Sequence, residues 1–243
     1  GGDDVKRWQK AAVYGFALLI SLFAVSPFLW MIVTSLKSQQ EIYSSPLVYF
    51  PKTVNPEGYA GMLNPRADPN VNFINWFRNT AVTSLLTTVF SLTISTLGAY
   101  SMSRFRYRGR MAIGYLILIT QMLPGSLLIV PLYIIMKNMG MLDSLFGLVI
   151  AFSTVAIPFC TWMLKGYFDT IPSTIDEAAM VDGAGRWTTF TRIALPMTLP
   201  GLVVTGIFSF LTSWNEFLFA LTFISDYNKW TLSVGIASFQ GQY

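Results

Sequence analysis

Long uncharged apolar runs alternate with polar stretches along this chain, and the runs have the length of membrane spans. The first covers residues 11–36 and follows Lys6, Arg7 and Lys10. As a helix its 26 residues reach about 39 Å, enough to cross a hydrocarbon layer of about 30 Å with some tilt. It is longer than the apolar core of about 7–15 residues in a secretory signal. Pro27 is placed to kink it, and Trp30 falls near one interface. The second run, 79–103, is rich in Thr, Ser and Gly, residues that let membrane helices approach closely. The third, 111–136, contains Gln121, Pro124 and Pro131. The fourth, 145–164, contains Pro158 and Cys160. The fifth, 197–225, is broken only by Glu216. This pattern predicts an all-α, polytopic transmembrane bundle with five visible spans, forming a single domain over residues 1–243.

The polar stretches fill in the plan. Residues 37–78 form a loop with five prolines, at positions 46, 51, 56, 65 and 69, and interleaved aromatics. That mixture predicts an ordered cap with short helical turns. Residues 165–197 form a second loop, and its most polar part continues to 201. Here Ser173 is placed to cap a short helix, with Asp176 three residues on as a short-armed capping box. Asp176 and Glu177 suit the positive end of the helix dipole, and Ala178, Ala179 and Met180 are good helix formers. Gly183 and Gly185 are expected to stop it. A second short helix is expected to start at Thr188 or Thr189 and to be limited by Pro196 and Pro200. Residues 231–243 start out amphipathic and then stop; with Gly1-Gly2 at the other end, the sequence reads as truncated at both ends.

Composition narrows the function. Only 12% of residues are charged, against about 25% in soluble domains, and mean hydropathy is +0.52. There is no histidine, which excludes His-based general-base chemistry and His metal sites. The single cysteine excludes an intrachain disulfide. The net charge of +4 tracks the loops, so it reads as membrane orientation and not as nucleic-acid binding. With the N-terminus inside, ten Lys and Arg lie on the inner side: Lys6, Arg7, Lys10, Arg104, Arg106, Arg108, Arg110, Lys165, Arg186 and Arg192. Six lie outside: Lys37, Lys52, Arg66, Arg78, Lys137 and Lys229. This places the loop at 37–78 outside the membrane and the loop at 165–197 in the cytoplasm.

One pattern in the inner loop carries a resemblance. Glu177-Ala178-Ala179, then Gly183, then Ile193, then Leu195-Pro196 resembles the EAA signature of bacterial ABC-importer permeases, at every fixed position. Arg104-Phe105-Arg106-Tyr107-Arg108-Gly109 looks like that family's basic inner loop. Trp214-Asn215-Glu216-Phe217 resembles its carbohydrate branch, the group that includes the maltose permease. The resemblance implies six spans, with the inner loop acting as a coupling helix seated in a cytoplasmic ATPase. It implies as coupling residues Glu177, Ala178, Ala179, Asp182, Gly183, Ile193, Leu195 and Pro196. It further implies a second permease subunit, two ATPase subunits, an extracytoplasmic sugar-binding protein, a carbohydrate substrate, surrounding lipid, and a bacterial or archaeal plasma membrane. The chain has no G-x-x-x-x-G-K-[ST]. It therefore holds no cofactor through a P-loop, and ATP and Mg belong on the partner ATPase.

Two places in the spans are candidates for the translocation path. Glu216 is the one carboxylate within an apolar run, where an acid costs about 2.5–3.5 kcal/mol on insertion scales. With Trp214 and Asn215 it can stack on and hydrogen-bond a sugar, or it can serve packing or gating. Gln121 either lines the path or bonds a neighbouring helix, near the carbonyl that Pro124 frees. A secondary transporter driven by an ion gradient is the alternative; it calls for inverted repeats and more intramembrane carboxylates than one. An intramembrane enzyme lacks any paired nucleophile and base here.

Overall fold

Each apolar run becomes helix, and the helices extend past the runs wherever the flanking polar residues are themselves good helix formers. A computed structural model describes residues 2–63 and 71–239 of the chain. It divides into two units, residues 1–71 and 72–243.

In the first unit, α1 (Gly2–Ser35) contains Pro27 without ending there. Its apolar side chains, among them Leu18, Leu22 and Phe23, are exposed, as a lipid-facing helix requires. The loop that follows is ordered, with α2 (Gln39–Ile42) and α3 (Glu57–Leu63). Lys37 organises it. Its buried ammonium donates to the Val48 carbonyl at 2.6 Å and lies 4.6 Å from the Trp30 ring centroid. Of the residues assigned to this loop, Pro65, Arg66 and Pro69 lie outside the described residues.

In the second unit, α4 (Phe73–Arg104) starts six residues before the expected boundary at Asn79. It runs alongside α7 (Leu145–Thr170) and α11 (Leu199–Trp214). The facing surfaces are unusually hydroxylic. Thr80, Thr83, Ser84, Thr87, Ser91 and Ser95 on α4 are buried, as are Thr205, Ser209 and Ser213 on α11. Small side chains bring the backbones close, and Thr80 and Thr83 return their hydroxyls to carbonyls four residues back, at 2.9 and 2.8 Å. Ser95 donates across the interface to the Ile157 carbonyl at 3.0 Å. Phe159 and Phe208 stack with centroids 3.9 Å apart.

The third and fifth runs are corrected by the structure, since neither is one straight span. The third splits into α5 (Arg110–Met122) and α6 (Gly125–Asn138), bent by 102°. The cause is local. Pro124 forces Leu123 out of helical geometry, to φ −79° and ψ 124°. The fifth run begins at a second bend of 73°, at Thr198, with Pro200 in the first turn of α11. It then stops at Trp214 and resumes as α12 (Leu218–Phe223). A short 3-10 turn (Tyr227–Lys229) and α13 (Leu232–Phe239) follow, and residues 240–243 lie outside the described residues. Among the described residues, three helices are long and apolar enough to cross a membrane, or up to five if each bent pair counts as one span.

Candidate functional site

The loop at 165–197 folds as two short helices docked on the ends of α4 and α7. The first, α8 (Ser173–Val181), is capped by Pro172 and not by Ser173, which is already inside the first turn. The ring of Pro172 fixes its φ at −58°, and with ψ at 131° this residue takes the N-cap position, where it has no side-chain acceptor to offer. The far end is a glycine stop. Gly183 adopts φ +89°, its N–H donates to the Met180 carbonyl at 3.1 Å, and the Ala184 N–H donates to the Ala179 carbonyl at 3.0 Å. Gly185 is not part of the stop; it precedes α9 (Arg186–Thr189), which begins two or three residues before Thr188 or Thr189. The helix then widens into a π turn (Phe190–Ala194) and closes as α10 (Leu195–Met197), so Pro196 sits inside it.

Successive residues on α8 point about 100° apart, and this separates the loop's two tasks. Asp176 and Ala179 are buried against the bundle. Glu177, Ala178, Met180, Asp182 and Gly183 are exposed, and Val181 and Trp187 are 87% and 67% exposed. Ile193 and Leu195 are half-buried, and Pro196 is exposed. Leu195 packs with Ala99, Tyr100, Leu164, Phe168 and Phe190, a cluster shared by α4, α7 and the loop. Tyr100 is its hub, with ring centroids 5.9, 5.5 and 4.8 Å from Phe105, Phe168 and Phe190.

Charges finish the seam. Arg104 Nε lies 2.5 Å from Asp176 Oδ2, with the two side chains only 10% and 7% exposed. The Arg104 Nη2 group donates to the Ile171 carbonyl at 2.9 Å. Beside it, Asp169 accepts from Ser103 at 2.7 Å and pairs with Lys165 at 2.5 Å. The Arg104–Asp176 contact escapes sequence reading, which assigns Asp176 to capping. Arg104, Arg106, Arg110, Arg186, Ser173 and Glu177 line an open cavity of about 730 Å³.

The four translocation-path candidates do not converge. Gln121 is exposed in the last turn of α5. Trp214 packs between Phe77 and Phe210, each centroid 5.4 Å away. Asn215 returns its amide to the Leu211 carbonyl at 2.8 Å. Glu216 occupies the break between α11 and α12. Its carboxylate accepts from the Phe219 N–H at 3.1 Å and the Ala220 N–H at 3.2 Å. An anion there meets the positive end of α12 and satisfies its first free amides. Glu216 borders a cavity of about 290 Å³ that also includes Gly125 and Ser126, the start of α6.

Comparison with known proteins places this arrangement. Residues 91–241 match the family model described as the binding-protein-dependent transport system inner membrane component. The inner membrane ABC transporter permease protein YcjP of Escherichia coli is 38% identical, over 90% of this chain and 76% of that protein. The trehalose/maltose transport system permease protein MalG of Thermococcus litoralis is 36% identical, over 93% and 79%. The diacetylchitobiose uptake system permease protein NgcG of Streptomyces coelicolor is 34% identical, over 95% and 75%. The crystal structure of a bacterial ABC transporter that imports the acidic polysaccharide alginate shares the fold. Its TM-score is 0.79 at 24% identity, over 98% of this chain and 80% of that one. The chain therefore belongs to the inner-membrane components of binding-protein-dependent transport systems, the permease subunits of ABC importers.

Proposed function

We propose that this chain is the permease subunit of an ATP-driven importer for a sugar or oligosaccharide, and that α8 is the part gripped by the ATPase. The observation that carries this is the divided surface of α8. Its outward side presents Glu177 among exposed Met180 and Val181, with Trp187 alongside. Apolar side chains left in water on a polar loop mark a protein contact. The sugar assignment is supported by relatives whose names specify trehalose/maltose and diacetylchitobiose. In this reading the working assembly contains a second permease, two ATPase subunits that hold ATP and Mg, and an extracytoplasmic binding protein that delivers the sugar. It resides in a bacterial or archaeal plasma membrane with the N-terminus and α8 in the cytoplasm.

Mechanically, ATP binding draws the ATPase subunits together, carries both permeases' coupling helices inward, and turns the cavity outward; hydrolysis resets it. Glu177 and Gly183 are the residues on which docking rests, one by charge and one by the turn. Glu177→Lys and Gly183→Asp are expected to insert normally in the membrane but to lose ATPase association or to hydrolyse ATP without uptake. Normal pull-down of the ATPase and normal uptake in both variants would remove the docking assignment. The substrate is identified by measuring which sugar the cognate binding protein retains.

A further inference from the structure

The outward side of α8 accounts for gripping; it does not account for how movement leaves the helix. Three observations on its inward side do. Asp176 is buried and paired with Arg104, and this is the only ion pair among the described residues that joins positions more than four apart. Arg104 is the last residue of α4, a 32-residue helix without an internal proline, about 48 Å long at 1.5 Å per residue. The far end of α4 is also clamped. Asn79 Nδ2 donates to the carbonyls of Asn228 and Trp230 at 2.9 and 3.0 Å, and the Thr80 hydroxyl accepts from the Leu232 N–H at 2.7 Å. Trp76 is fully buried there, and a Cβ on Gly235 would overlap its ring.

We infer that the Arg104–Asp176 pair is the joint through which displacement of α8 reaches α4, and that α4 carries it as a stiff rod to the turn at 228–232. Arg104 and Asp176 are positioning residues: neither touches ATP or sugar. The neighbouring Ser103–Asp169–Lys165 contacts tie the same end of α4 to α7, so the two helices move together. Packing of the Tyr100 cluster keeps the loop seated, but aromatic faces can slide. The ion pair, with Arg104 also holding the Ile171 carbonyl, fixes one point on α8 to one point on α4.

This inference rests on α8 being the ATPase contact, and its test separates the two. Asn228 is exposed and Cys160 is the only cysteine, so Asn228→Cys in a Cys160→Ala background reports on the far turn. The complete complex in lipid nanodiscs is labelled with a maleimide, with and without a non-hydrolysable ATP analogue, and labelling of this subunit is read by mass. The nucleotide is expected to change the parent's labelling rate about tenfold, the range of ordinary site-to-site coupling. Asp176→Asn, nearly isosteric, and Arg104→Met should each abolish that response while the ATPase still copurifies. The reversed pair, Arg104→Asp with Asp176→Arg, should restore it. A response that survives Asp176→Asn overturns the joint. So does a response lost only together with the ATPase, because the pair would then merely shape the docking surface. A parent with bound ATPase but no response overturns transmission to the far turn and leaves docking intact. Failure of docking itself has a different signature: Glu177→Lys would keep both the ATPase and the response.

Discussion

Asp176 and Glu216 are two acids in a chain that is poor in charge, and the structure sets them against opposite kinds of partner. Asp176 lies in ion-pair contact with Arg104, its two oxygens making no hydrogen bond among the described residues, while Glu216 is hydrogen-bonded to backbone amides. Asp176 is met by a side chain 72 positions earlier, on another helix. Glu216 is met by backbone amides three and four positions later. The first contact joins elements; the second finishes one. A long-range pair leaves an uncompensated buried charge when one partner is lost, whereas loss of a cap leaves only neutral amides without an acceptor. The same residue class thus acts as a link between elements or as local end-work, according to where its partner lies in the chain.

Breaking the link should cost most. Arg104→Ala strands Asp176, and loss of one partner of a buried pair costs about 3 kcal/mol or more; the midpoint of denaturant-induced unfolding in detergent measures it. Replacing both by apolar residues, Arg104→Met with Asp176→Leu, should recover most of that stability. It should not recover the nucleotide response, which separates holding from transmitting. Glu216→Ala should cost about 1–2 kcal/mol in the same assay, the scale of a lost helix cap, and Glu216→Gln about half as much because one oxygen still accepts. Gly183→Ala should cost about 1 kcal/mol, the strain of a side chain at left-handed φ. The smallest effect concerns Asp226, in the loop before α13. The Asn228 N–H and then the Lys229 ammonium hold its carboxyl below the usual carboxylate range. The folded form therefore favours the anion. The resulting stability is present above about pH 4, the unfolded carboxylate value, and is lost as pH falls through the lower folded value. Asp226→Asn should remove that contribution at neutral pH and so flatten the acid limb of the unfolding curve, with little change at pH values below the folded carboxyl's own.

What could be read without a structure was whatever a single stretch encodes. The five apolar runs and their lengths follow from burial in lipid, and the motif from Glu177 to Pro196 sits on the loop where its spacing places it. Breaks were harder. Pro27, Pro131 and Pro158 lie inside helices, while Pro124 ends one. Pro124 differs in being followed by Gly125, a poor helix former, so nothing carries the helix across the gap. Glu216 looked like a charge in mid-span because the break around it has no proline or glycine to announce it. The Arg104–Asp176 pair was invisible for another reason. Each residue has a sufficient local explanation, an inner-side cation and a first-turn acid, and one sequence holds no record of which two meet.

The widened turn at Phe190–Ala194 has a consequence of its own. A π turn holds one residue more than the α turn it replaces. The connector from α8 to α11 therefore carries a spare unit in its count. Deleting one residue there should tighten the turn and leave the hydroxyl column of Thr205, Ser209 and Ser213 aimed as before. The same deletion inside α11, ahead of Thr205, would spin the remainder by about 100° and present Phe210 and Trp214 where two serines now fit. Deletion of a single residue should thus be tolerated at Phe190–Ala194 and not in the part of α11 ahead of Thr205.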